Sequence, residues 1–337
     1  TRLQGDWSSD VCSSDLENQI VPGYWFRTDS SGNLTNASGC GNDVASERPM
    51  VRKFIVDSVK YWSKEYNLSG FRFDLMGLLD LTTMKQVRDE VSKIDPSIII
   101  LGEGWNMGTL ANSERASQSN IEQLQGVSVF NDQIRDGVKG SVFSSTEPGW
   151  ATGLLSKKNS VQAGIVGNTD YGQGVQNTFS TSAPGQSVNY VEAHDNNTLQ
   201  DKLLLSTGKV PATTIAKLNR LAGSIPLLAQ GLPFINSGQE FQRSKSGDSN
   251  SYQSGDDVNS LKWNLIVTNA TTRNFYKGII QLRKEHPAFR IADAKTVKAA
   301  VKFIAASDQV IAYYIDGKAA GDSWSSIRSE EHTSELQ

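Results

Sequence analysis

Three carboxylates are best placed to do chemistry: Asp74, Glu103 and Asp195, each read at the C-terminal end of an apolar run. In Gly70–Leu75 (GFRFDL), positions two apart share a strand face. Gly70, Arg72 and Asp74 therefore point one way, and Phe71, Phe73 and Leu75 the other. One face suits a core; the other carries an unlike-charged pair that a buried strand seldom tolerates without a task. Glu103 ends a second apolar run, between Gly102 and Gly104, with Trp105 next. Two carboxylates on neighbouring strands suit glycoside hydrolysis. One attacks the sugar carbon; the other protonates the leaving oxygen and later activates water, at roughly 5–5.5 Å separation in a retaining enzyme. Adjacent parallel strands lie about 4.8 Å apart, so Asp74 and Glu103 at equal heights would meet that spacing. Arg72 would hold Asp74 ionised, as a nucleophile must be, and a partly apolar setting would raise the pKa of Glu103 for acid work.

Other candidates read more plainly. A carboxylate at a strand end, taken singly, is more often a loop cap than a catalyst. His194 and Asp195 are adjacent, so a regular strand would turn them to opposite faces; only a strand end, where alternation breaks, lets both reach one site. Cys40 reads as a structural thiol, and His286, before Pro287, as a helix-terminus residue. The acids of Arg243–Asp257 lack metal-ligand spacing and read as a solvated loop.

Both ends need separating from the rest. Arg328–Gln337 (RSEEHTSELQ) can be back-translated to a DNA whose reverse complement, in its second frame, spells WSSDVCSSDL, which is Trp7–Leu16. Such complementarity is improbable in a natural gene and matches read-through of a sequencing-library adapter. Residues 1–16 are therefore expected to be a non-native tail, with 7–16 adapter-derived, and 328–337 a second adapter-derived tail; both are set aside from the fold. The tails hold two arginines against six acids, so the net charge of −3 leaves the stretch between them near +1. No basic surplus points to nucleic acid, and no apolar run reaches the ~18 residues of a membrane span. With Cys12 in a tail, Cys40 stands alone, which supports neither a disulfide framework nor a metal site.

The elements that must position the carboxylates follow from periodicity. Ser46–Asn67 reads as a helix, with Pro49 in its first turn and Val51, Phe54, Ile55, Val59 and Trp62 on one face. Strand 70–75, helix Leu81–Ile94 and strand Ile98–Trp105 make a βαβ unit, the last strand expected to be buried on both faces. Val127–Phe130 is a short strand, followed by a polar excursion to about Gln186. Then come strand Ser187–Asp195, helix Pro211–Gln230, strand Leu232–Asn236, helix Asn274–Glu285 (Phe275, Ile279 and Leu282 inward) and strands Val297–Ile304 and Gln309–Ile315. The alternation stops near Phe289–Asp293, which places a domain boundary there. The fold class is α/β: a (β/α) barrel with chemistry at the strands' C-terminal ends, since the Gly-rich fingerprint of a dinucleotide-binding sheet is missing.

Three runs in order, GFRFD, GEGW and EAHDN, resemble the retaining α-amylase superfamily of glycoside hydrolases. More narrowly, residues 39–62 (GCGNDVASERPMVRKFIVDSVKYW) and 238–263 (GQEFQRSKSGDSNSYQSGDDVNSLKW) are similar to the bacterial type I pullulanases, starch-debranching enzymes. The likeness covers nearly all of the chain between its tails. It implies that Asp74 is the nucleophile, Glu103 the general acid/base, and Asp195 the third carboxylate that steadies the distorted sugar. It also implies that Arg72 and His194 contact substrate at the cleavage site and that Trp105 stacks on sugar. The family's earlier Asp/His motif and YNWGYDP-type signature are not in the chain, and FINSG (234–238) departs from the family's usual pattern there.

The resemblance thus implies a partial (β/α)8 barrel of about strands 4–8 over residues 17–290, then a truncated C-terminal β-sandwich over 291–327. The expected activity is retaining hydrolysis of α-1,6-glucosidic branch linkages in pullulan, starch or glycogen-derived glucans, the piece as written being inactive. An α-1,4-acting amylase or glucan transferase is the rival within the superfamily, and a non-catalytic glucan-binding remnant the rival outside it. No cofactor is identified, and calcium dependence is not readable from the residues. The expected partner is an α-glucan, with no nucleic acid, in a protein that is a monomer at full length. An extracellular or cell-surface location is expected, a cytoplasmic one being the alternative.

Overall fold

The computed structural model describes residues 17–39 and 41–333, and the chain divides into two units, the first ending at Phe130 and the second opening at Asn131. Cys12, Cys40, the tail 1–16 and residues 334–337 lie outside the described residues.

In the first unit, helix α1 (Pro49–Tyr66) opens on a proline, whose missing N–H would be unpaired there anyway, and ends at Asn67 in the left-handed region (φ 52°). It buries Val51, Val56, Val59 and Ser63. The expected apolar face is rotated: Phe54 is 55% exposed, meeting Trp25 edge-on at 5.2 Å. Strand β1 (Gly70–Phe73) alternates as expected, with Phe71 and Phe73 turned inward. Helix α2 (Leu81–Ser92) is capped by Asp80, which accepts the Thr83 N–H at 3.0 Å and pairs with Arg52 at 3.1 Å. Strand β2 (Ile99–Gly102) pairs in parallel with β1 on one side and with β3 (Val127–Phe130) on the other. The run around β2 is not buried on both faces: Ile98 and Ile100 are, but Ile99 is 47% exposed.

The second unit corrects more of the pattern. The stretch expected as a polar excursion contains helices α3 (Asp132–Lys139) and α4 (Lys158–Ile165). Asn131 caps α3 through the Ile134 N–H at 3.1 Å, and α4 fits against it because Gly164 leaves room for Ile134, where a Cβ would stand 2.4 Å away. Strand β4 (Ser187–Asn189) stops well short of Asp195, since its parallel partner β5 (Leu232–Pro233) is only two residues long. Helix α5 (Leu199–Thr207) follows β4, and α6 (Ala212–Leu228) precedes β5. In α7 (Ala270–Glu285) Tyr276 is buried and Phe275 is 37% exposed, while Ile279 and Leu282 pack against the core.

Asp293 caps a short helix α8 (Ala294–Ala300), so Val297 is helical and the strand expected there begins only at Val301. Strands β6 (Val301–Ile304), β7 (Val310–Asp316) and β8 (Ser326–His332) form an antiparallel sheet. Near the boundary expected at Phe289–Asp293 the elements change from parallel strands and helices to the antiparallel sheet, and one buried cluster runs across the junction. Ala288, Phe289 and Ile291 are buried in the same cluster as Leu228 of α6 and Val301 and Ile311 of the sheet. The tail set aside at Arg328 is also partly in the fold. Residues 328–332 continue β8, with Tyr314 opposite Arg328 and Ile311 opposite Glu331. Its alternation turns Ile327, Ser329 and Glu331 inward, and it covers an edge of β7 that would otherwise present unpaired backbone groups.

Candidate active site

The register of β1 on β2 sets the site. Phe73 stands opposite Gly102, and the N–H of Glu103 donates to the Phe73 carbonyl at 3.1 Å. Asp74 and Glu103 therefore leave neighbouring strands at the same height. Arg72 lies between them and holds both, Nη1 at 2.9 Å from Asp74 Oδ1 and Nη2 at 2.9 Å from Glu103 Oε1. Its guanidinium sits over the Phe130 ring, 5.8 Å from the centroid.

After Asp74 the chain cannot continue as a strand. Leu75 adopts a left-handed conformation (φ 43°, ψ 43°), which costs a residue with a Cβ about 1–2 kcal/mol. That turn aims the Leu75 N–H at Glu103 Oε2, 3.1 Å away. Gly77 then donates to the Glu103 carbonyl at 2.9 Å. A Cβ at Gly77 would stand 2.0 Å from the Trp105 carbonyl oxygen, so only glycine permits this approach. Trp105 is half-buried, its carbonyl accepting the Met107 N–H at 2.9 Å.

The two carboxyl groups have opposite surroundings. The Asp74 side chain is 71% exposed and that of Glu103 13%. Burial is the chief cause that raises the Glu103 pKa, to about 7. The charge of Arg72 and the Leu75 N–H pull the other way, and a hydrogen bond and like charge from Asp74 add to the rise. A proton-bearing carboxyl beside an open carboxylate is the division of labour that acid-assisted displacement needs.

His194 and Asp195 belong to the second unit, in the loop between β4 and α5, where His194 Nε2 is 3.4 Å from Asp195 Oδ2. The strand has ended, so adjacent residues turn to one another instead of to opposite faces. The structure thus brings Arg72, Asp74 and Glu103 together in one unit, and His194 with Asp195 in the other. His286 stands apart, at the C-terminus of α7, with Nδ1 2.9 Å from Asp322 Oδ1 and its ring against Trp324. Sequence reasoning passes over Glu192 and Lys139, both fully buried charged residues. Glu192 lies inside the EAHDN run and could have been found there; Lys139 carries no signal of its own. Among the described residues no cluster of three or more His, Cys, Asp or Glu is arranged to hold a metal, and no helix is long and apolar enough to cross a membrane.

Compared with models of known protein families, the chain matches none. Individual proteins do match. A pullulanase of Bacillus subtilis is 41% identical over 317 residues, covering 94% of this chain and 44% of that protein. The chloroplastic pullulanase 1 of Arabidopsis thaliana is 33% identical over 370 residues, covering 85% of this chain and 38% of its own length. Among solved structures, a mutant pullulanase of Paenibacillus barengoltzii complexed with maltotetraose superposes with a TM-score of 0.91 at 40% identity, over 94% of this chain and 49% of that one. A pullulanase of an Anoxybacillus species complexed with maltotetraose gives 0.88 at 43% identity, over 94% and 45%. The chain spans less than half the length of these relatives. Its parallel strands and C-terminal antiparallel sheet are part of the pullulanase fold, and by sequence and by structure its relatives are pullulanases of the retaining α-amylase superfamily.

Proposed function

We propose that the protein carrying this chain hydrolyses α-1,6-glucosidic branch linkages in pullulan, starch or glycogen-derived glucans, with retention of configuration. The observation that carries this reading is Arg72 binding Asp74 and Glu103 equally, at 2.9 Å each, with one carboxyl open and the other buried. Asp74 is the nucleophile: its carboxylate bonds to the anomeric carbon as the glycosidic bond breaks. Glu103 donates its proton to the departing oxygen, then takes one from the water that releases the sugar from Asp74. Arg72 orients the pair, Asp195 is the third carboxylate that steadies the distorted ring, and His194 and Trp105 contact the sugar. These last assignments rest on the EAHDN and GEGW motifs. The strand–helix alternation is that of about the fourth to eighth strands of a (β/α)8 barrel, with Asp74, Glu103 and Asp195 following β1, β2 and β4 at their C-terminal ends, where barrel enzymes carry their chemistry.

The test is product analysis on pullulan with the full-length protein. An α-1,6 specificity leaves maltotriose as the product, and Asp74→Asn or Glu103→Gln lowers kcat by about 10³-fold or more. Cleavage at α-1,4 linkages instead, or activity that survives both substitutions, would overturn the reading.

A further inference from the structure

The loop that carries His194 and Asp195 is held by a carboxylate that the chemistry above leaves unused. Glu192 is wholly buried. Its Oε2 accepts the N–H of Leu199, the first residue of α5, at 2.7 Å, and its Oε1 accepts from Asn236 Nδ2 at 2.8 Å. One side chain thus closes residues 192–199 on themselves, against a helix N-terminus where an anion is favoured, and ties the closed loop to the segment after β5. Two lysines reach the carbonyls of the same loop: Lys245 Nζ donates to His194 O at 3.1 Å, and Lys139 Nζ to Asn197 O at 3.5 Å. Asn197 Nδ2 in turn donates to Gly247 O at 2.9 Å.

Burying opposite charges that do not touch directly is costly, and a loop that merely connects β4 to α5 has no need of them. Burial pushes the Glu192 pKa up to about 7 and the Lys139 pKa down to about 7, each opposed by the charge of the other. The chain retains both groups around the one loop that bears two candidate site residues.

We propose that Glu192 is a positioning residue, which sets where the His194 and Asp195 side chains stand by closing their loop onto Leu199 and Asn236. Lys139 and Lys245 hold the same loop through its carbonyls. The inference rests on the roles proposed above for His194 and Asp195.

The test is a compensating pair of substitutions in the full-length protein. Asn236→Asp sets a carboxylate against the Glu192 carboxylate, an acceptor against an acceptor that no turn of the side chain relieves. Adding Glu192→Gln restores the pair with its polarity reversed, the amide oxygen staying on the Leu199 N–H. The single substitution is expected to lower kcat on pullulan about 10- to 100-fold, the scale of a small misplacement of reacting groups. KM should change less than about threefold, and the double variant should regain most of kcat. A folded Asn236→Asp protein with kcat within about twofold of the parent would overturn the proposal, as would a loss that Glu192→Gln does not relieve. Should Asn236→Asp fail to fold, Asn236→Ala carries the test, since it removes one donor at a half-buried position. A kcat loss of about threefold or more supports the proposal there, and an unchanged kcat overturns it. Asp195→Asn, made alongside, separates the two claims: full activity in that variant would mean that the functional reading has failed.

Discussion

Replacing Glu103 with glutamine should make the fold more stable in alkaline solution and leave it almost unchanged in acid. The folded chain holds this carboxyl at a pKa of about 7, against an ordinary 4.5. Between those values the folded state binds more protons than the unfolded one, so stability falls as pH rises through the window. Above it the cost is fully present. At 1.36 kcal/mol for each unit of difference, that cost is about 3 kcal/mol. Glutamine resembles the protonated acid at every pH and does not incur it. Urea unfolding of parent and Glu103→Gln at about pH 4 and about pH 8.5 measures the two limits. The expected result is a small difference in acid and a gain of about 3 kcal/mol in base. Equal effects at both pH values, or a loss in base, would refute the argument that burial governs this carboxyl.

Three other perturbations follow from the same geometry. Arg72→Met removes the positive charge that favours ionised Glu103, so a carboxyl-carbon NMR titration should find the Glu103 pKa higher still. Asp322→Ala should lower stability by about 2–4 kcal/mol in denaturant unfolding, because Asp322 accepts from the Ala288 N–H, the Trp324 N–H and His286 at 2.9–3.0 Å. The Asp322 pKa is held at about 2, with burial opposed by those hydrogen bonds, so its contribution is present above about pH 4 and should be lost as pH falls through about 2. Gly77→Ala should cost about 1–3 kcal/mol or more, since a Cβ there meets the Trp105 carbonyl oxygen at 2.0 Å; circular dichroism melts would register it.

What was legible in the sequence followed the strength of the local pattern. GFRFD shows its strand because charge and aromatic ring alternate, and the helix that begins at Leu81 shows because apolar residues recur at helical spacing. The pair Asp74 and Glu103 could be read from position alone. That one guanidinium serves both could not, because it depends on the register of β1 against β2. Nor could the left-handed turn at Leu75, a residue type that disfavours it. Helices α3 and α4 stayed hidden because they are short, with glycines at the packed positions 137 and 164 diluting the apolar pattern. Buried Glu192 and Lys139 run against every rule that places charge outside; Glu192 is at least marked by the EAHDN run, while only tertiary contacts reveal Lys139. Near Phe289 the change of element type is legible in the sequence, and the buried cluster that continues beneath it is not.

The central claim, that Asp74 attacks the sugar carbon while Glu103 handles the proton, is tested most directly by trapping the intermediate. The full-length protein would be given an activated fluoro-sugar α-glucan substrate, digested and examined by mass spectrometry, with the anomer of the natural product read by NMR. The expected result is a sugar ester on the peptide that contains Asp74, an ester that persists longer in Glu103→Gln because the base that activates the releasing water is gone, and a product first released as the α-anomer. A label on Glu103, or a β-anomer as first product, would contradict it.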